Sequence, residues 1–168
     1  MQISMYRASV PTLARTLRNL VAVLRKGEAW AIERKIEPSV LLGYRLAPDM
    51  YALPRQVQIA TDMAKGCVAR LAGVEVPSYA DDETTFAELY ARIERTVAFI
   101  EGLQPAQVDG SEEKTVLLKT RAGELSFQGL SYLLEFALPN VYFHCTTAYA
   151  ILRHCGVDLS KKDFIGAT

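Results

Sequence analysis

The stretch "LPRQVQIATDMAKGCVARLAG", residues 53–73, sets its small and apolar side chains four, three, four, three and four positions apart: Leu53, Val57, Ala60, Ala64, Cys67 and Leu71. That alternation keeps one stripe on a single helical face, the spacing used by helices that pack side by side at a shallow angle. Gly73 is a good stop for such a helix. Towards the N-terminus the same arithmetic recurs in Tyr6, Val10, Leu13, Leu17, Leu20 and Leu24, with Arg7, Arg15, Arg18 and Arg25 mostly off the stripe. Pro11 lacks an amide hydrogen, so this helix is expected to kink there or to begin near Ser9. Between the two helices, Glu28 to Lys35 could form a short helix, while Pro38 and Pro48 break continuity. A long connection crossing one end of a bundle is expected.

Towards the C-terminus, Thr85 followed by Glu88 has the form of a capping box, and Phe86, Leu89, Ile93, Val97 and Ile100 supply a third buried stripe. Two short β-rich runs, TVLLKT and ELSF, flank Arg121, Ala122 and Gly123 and predict a hairpin. Residues 129–138 read equally as a helical turn or as more hairpin. A fourth helix follows, with Pro139 at its start and Gly156 at its stop. Its wheel puts Asn140, His144, Thr147 and Ile151 on one face and Tyr142, Tyr149 and Arg153 on the opposite one, with apolar residues between. A helix apolar most of the way round is surrounded, by its own bundle or by a second subunit. The chain is therefore expected to be mainly α, a single domain over residues 1–168: an up-down four-helix bundle with a long crossover between the first two helices and a short β-hairpin before the last.

Composition limits the function. The 168 residues are half apolar, enough for one core, and 19 basic residues balance 19 acidic ones. With no net field to draw it onto phosphate or anionic lipid, nucleic acid is not an expected partner. Cys67, Cys145 and Cys155 are odd in number and sit in apolar helical patterns, which fits reduced thiols and a cytoplasmic protein. The start lacks the layout of a secretory signal, and the longest apolar region, residues 130–152, is interrupted by Glu135, Pro139, Asn140 and His144, so no membrane span is expected. Phosphate-binding glycine loops, CxxC pairs, GxSxG and HExxH are all missing.

The segments RLAPDM, RQVQIATDMAK and LPNVYFHCTTAYAILRHCGV, followed by KKDFIG, resemble the bacterial DUF1993 family, a domain of unknown function in the DinB/YfiT-like superfamily of four-helix bundles. The resemblance covers essentially the whole chain and is most specific from Pro139 to Gly166. It implies a divalent metal held by one histidine on the second helix and an HxxxH pair on the fourth, serving transferase chemistry that often involves a small thiol. Here the pair is NxxxH, with Asn140 in the first place and His144 in the second, and the second helix carries no histidine. Asn is a poor ligand for zinc or nickel, so the site is expected to be degenerate and no cofactor is expected. The alternative is a single divalent metal, zinc or nickel, at His144, in a thiol-transferase or hydrolase of the superfamily's type.

Four residues are candidates for binding a ligand: His144, Asn140, Gln56 and Asp62. His144 reads either as part of a pocket or as a core histidine with satisfied nitrogens. Asn140 reads as a helix cap, or as a partner of His144 or of a ligand. Gln56 lies at the edge of its stripe; Asp62, on the far side of the wheel, is either solvated or an acid/base partner for an imidazole. Asp49 is expected to help start the second helix, and His154 to complement the end of the fourth. Cys145 lies about 100° round the helix from His144, and Cys155 about 16 Å along it, so neither pairs with the histidine as a nucleophile. Tyr142, Tyr149 and Arg153 read either as a subunit contact or as packing beneath residues 28–50, and Phe164 as an anchor for the tail. The expected partners are a second copy of the chain and a small molecule. The expected function is that of a binding or structural protein.

Overall fold

The computed structural model describes residues 3–120 and 123–166. Four long helices form the body: α1 (Met5–Glu33), α3 (Leu53–Ala72), α4 (Phe86–Glu101) and α7 (Leu138–His154). Helix α1 packs on α4, α4 on α3, α3 on α7 and α7 on α1, which closes a four-membered ring around one core. The stripes meet inside it: Leu13, Leu17 and Leu24 from α1, Leu53, Val57 and Leu71 from α3, Leu89 and Ile93 from α4, and Val141 and Leu152 from α7 are all buried. Contacts near both ends, Gln56 with His144 and Arg70 with Tyr132, show that α3 and the last helix run antiparallel. This is the mainly helical bundle expected from spacing.

Helix α1 departs from expectation at both ends. It starts at Met5, where the Ser4 side chain accepts from the Arg7 amide, and it runs through Pro11. The Arg7 carbonyl, which Pro11 cannot serve, accepts instead from Thr12 Oγ1 at 3.3 Å. The short helix expected over residues 28–35 is no separate element, because α1 continues to Glu33. Gly27 does not break it; a Cβ there would press on Leu152, so the glycine lets α1 and α7 approach closely. The crossover holds only α2 (Pro38–Leu42). Asp49 does not cap α3, whose N-cap is Ala52 with a proline in the first turn.

Gly73 ends α3 in the left-handed conformation, and the Thr85–Glu88 box opens α4 with both reciprocal hydrogen bonds. A short turn, α5 (Pro105–Val108), leads to an antiparallel hairpin of β1 (Thr115–Thr120) and β2 (Gly123–Gln128). Arg121 and Ala122, expected in its turn, lie outside the described residues. The segment that periodicity left open is helical: α6 (Gly129–Ser131), then a π-helical turn, Tyr132–Ala137, running directly into α7. After Gly156, α8 (Lys161–Ile165) folds back onto α1, where Asn19 Nδ2 donates to the carbonyls of Phe164 and Ile165.

Candidate functional site

The sequence candidates fall into two places. His144 and Gln56 meet across the α3–α7 contact, with His144 Nδ1 at 2.7 Å from Gln56 Oε1. The orientation of the Gln56 amide is fixed at its other end, because Nε2 donates to the Tyr51 carbonyl at 3.0 Å. An amide oxygen only accepts, so the ring nitrogen facing it carries the hydrogen. His144 is thereby held as the Nδ1–H tautomer, and the lone pair is on Nε2. Burial, and after it the positive charge of Arg55, hold its pKa below the ordinary value. The neutral form is the one the site favours. The Phe143 ring stands edge-on to the imidazole, centroids 5.1 Å apart.

Asn140 lies one turn before His144, where its Nδ2 donates to the Phe136 carbonyl at 2.7 Å. This corrects the capping role: the helix is already under way at Pro139, so Asn140 has no helix start to cap. Its Oδ1 has no partner among the described residues. Asp62 belongs elsewhere. Its Oδ1 accepts from Lys65 at 2.7 Å and from Arg92 at 2.8 Å, so it is neither freely solvated nor bound to His144. Asp62 and Phe136 line a cavity of about 300 Å³ that His144, Asn140 and Gln56 do not line.

The residue that sequence reasoning missed is Arg92, whose side chain is fully buried. It reaches Asp62 and Asp81, donates to Glu83 at 2.9 Å and to the Ala80 carbonyl at 2.7 Å, and through Nε to Thr61 at 2.8 Å. Tyr79 lies under the cations of Arg95, Lys65 and Arg92. These contacts clasp the connection between α3 and α4 onto both helices. The available signal was an arginine inside the apolar stripe of α4, between Leu89 and Thr96, with the acidic run Asp81–Asp82–Glu83 shortly before it.

The tyrosine stripe divides. Tyr149 donates to the Leu159 carbonyl at 3.2 Å and stacks edge-on against Phe164, so the C-terminal segment packs on it. Tyr142 is partly exposed and Arg153 exposed. Arg153 and His154 stand in the last turn of α7, as the helix dipole favours.

A transition metal does not fit the donor set. One imidazole nitrogen, Nε2, keeps a lone pair, Asn140 and Gln56 offer neutral amide oxygens, and Gln56 Oε1 already receives the imidazole proton. Among the described residues no three His, Cys, Asp or Glu side chains come together as ligands. Zinc and nickel sites are built from imidazole, thiolate or carboxylate.

The four-helix ring with its hairpin places the chain among mainly helical bundle domains. The model of the DUF1993 family, a domain of unknown function, matches residues 5–165, and the chain belongs to that family. It is similar to the crystal structure of a DinB family member protein from Shewanella denitrificans, with 42% sequence identity and a TM-score of 0.89 over 97% of this chain and 92% of that one. No curated protein matches it.

Proposed function

We propose that the protein is a small-molecule-binding bundle in which His144 acts as a neutral hydrogen-bond acceptor and no transition metal takes part. The observation that carries this reading is the chain Tyr51 carbonyl, Gln56 amide, His144 Nδ1, which fixes the tautomer and leaves the Nε2 lone pair for an O–H, N–H or S–H donor. Binding is favoured over acid/base catalysis because the imidazolium has no carboxylate to stabilise it: Gln56 is neutral, Arg55 repels a proton, and Asp62 is committed to Arg92 and Lys65. The superfamily's metal-dependent transferase or hydrolase chemistry at His144 is the alternative, with nothing in the donor set favouring it. Long-range proton–nitrogen NMR of the His144 ring tests the proposal. The expected pattern is a protonated Nδ1 and a bare Nε2; a proton on Nε2 would remove the acceptor and the proposal with it.

A homodimer belongs to the same proposal. Phe143 and Leu134 keep 58% and 50% of their surface in water, apolar area that a second copy would cover. Sedimentation is expected to show a dimer that Phe143→Asp splits, and a monomeric wild type ends that part. No described helix is long and apolar enough to cross a membrane. A cytoplasmic setting is supported by three free cysteines, two of them buried.

A further inference from the structure

The cavity of about 300 Å³ between α3, β1 and the π-helical turn has a polarity the His144 site does not explain. One end holds Arg70. A Cβ at Gly66 would run into its guanidinium, so the glycine makes the space in which Arg70 lies, and Arg70 Nη1 donates to the Tyr132 hydroxyl at 3.2 Å. The groups around Arg70 are neutral: burial pushes both the Cys67 thiol and the Tyr132 phenol up to about 12. Lys119 of β1 lines the same cavity; Glu124 is its partner in the hairpin register. Among the described residues neither Arg70 nor Lys119 joins an ion pair. Arg70 and Lys119 thus line the space without an ion-pair partner, while its third cation, Lys65, is paired with Asp62.

The walls and the far end narrow the choice of ligand. Tyr132 and Phe136 lie nearly parallel, 22° apart with centroids at 6.0 Å, and Leu118 adds apolar surface. At the other end is Asp62, four residues before Gly66, over which the Arg70 guanidinium lies, and so about 6 Å from it along the helix axis. Both cations bound to Asp62 end on Oδ1, which leaves Oδ2 without a partner among the described residues. A fork-shaped donor at one end, a ring-lined middle and a free carboxylate oxygen opposite suit a flat acid bearing a donor at its far end.

We propose that this cavity binds a small aromatic carboxylate, with the carboxylate on Arg70 and Lys119, the ring against Phe136, which the buried Tyr132 backs, and a hydroxyl at the far end donating to Asp62. The site is separate from the one at His144 and does not depend on that reading.

Isothermal titration of the full chain with 4-hydroxyphenylacetate tests it. The acid is expected to bind at one site per chain, and its neutral counterpart 2-(4-hydroxyphenyl)ethanol at least about tenfold more weakly, since a charge-assisted pair is lost. Arg70→Gln is expected to weaken the acid by about tenfold or more, and Lys119→Gln, on an exposed strand position, by a few-fold. Should Arg70→Gln fail to fold, the Lys119→Gln and alcohol comparisons decide alone. No heat with the acid, equal affinity for acid and alcohol, or unchanged binding in Lys119→Gln and in a folded Arg70→Gln would each overturn the proposal. So would binding lost in His144→Gln and kept in Arg70→Gln, a result that would instead support the His144 site.

Discussion

Gln56 stands 2.7 Å from His144 across the α3–α7 contact, at the place where two of the bundle's helices come together, and it is the Tyr51 carbonyl that turns its amide to face the ring. Burial, and after it the positive charge of Arg55, make this imidazole resist protonation, with a consequence for stability. Since the folded pKa lies below the ordinary 6.5, the unfolded chain takes up the proton first as pH falls through that value. This contribution to stability is complete above pH 6.5 and is lost on acidification below it. Urea unfolding of wild type and His144→Gln across that range is expected to show a shallower pH slope in the variant; identical slopes would mean that His144 titrates alike in both states.

Arg92 and Glu83 form the most deeply buried ion pair of the molecule's described part. Arg92→Met removes the cation and leaves a buried carboxylate unpaired, together with the Ala80 carbonyl. A loss of about 3 kcal/mol is expected in denaturant unfolding. Arg92→Lys should recover little of it, because one ammonium cannot reach Thr61, Asp62, Glu83 and Ala80 from one position. Full recovery by lysine would show that charge alone is needed there.

Gly129 begins the helical segment that follows the hairpin, and a Cβ at that position would run into the Ser111 carbonyl. The contact is backbone against backbone and is fixed by the Leu130 amide donating to the Glu112 carbonyl at 2.9 Å. Gly129→Ala is therefore expected to cost about 2 kcal/mol through overpacking. A neutral result in thermal unfolding would mean that the hairpin can move off the bundle freely.

The cysteines should differ in reactivity. Burial pushes Cys67 and Cys145 up to about 12, so at pH 8 both remain thiols shielded from solvent, whereas Cys155 is partly exposed. Maleimide followed by mass spectrometry is expected to label Cys155 alone in the native protein and all three in denaturant. Rapid native labelling of Cys145 would contradict the packing of α7 described above.

What the sequence made legible was whatever had a local chemical cause. The four-and-three spacing gave the stripes of α1 and α3, the Thr85–Glu88 pair gave the start of α4, and Gly73 and Gly156 gave two helix ends, both with positive φ. Misreadings came where a distant partner decides. Residues 28–35 read as a separate short helix although α1 runs on through them, and Pro139 reads as a start because the π-helical turn ahead of it has no periodic signature. Of the candidate site, Gln56 could be placed from the edge of its stripe. The pairing of Asp62 with Arg92 could not, since it joins residues 30 apart on different helices. The contact of Tyr149 with the tail that follows it in the chain was equally illegible from the helix wheel.

The central claim concerns how many nitrogen donors the bundle offers a metal, and it is tested by elemental analysis of protein purified without an affinity tag, for wild type and His144→Ala. A single imidazole with two neutral amides should retain zinc and nickel only in trace, substoichiometric amounts, equal in both proteins. One equivalent of either metal in the wild type, absent from His144→Ala, would contradict the account and return the bundle to metal-dependent chemistry.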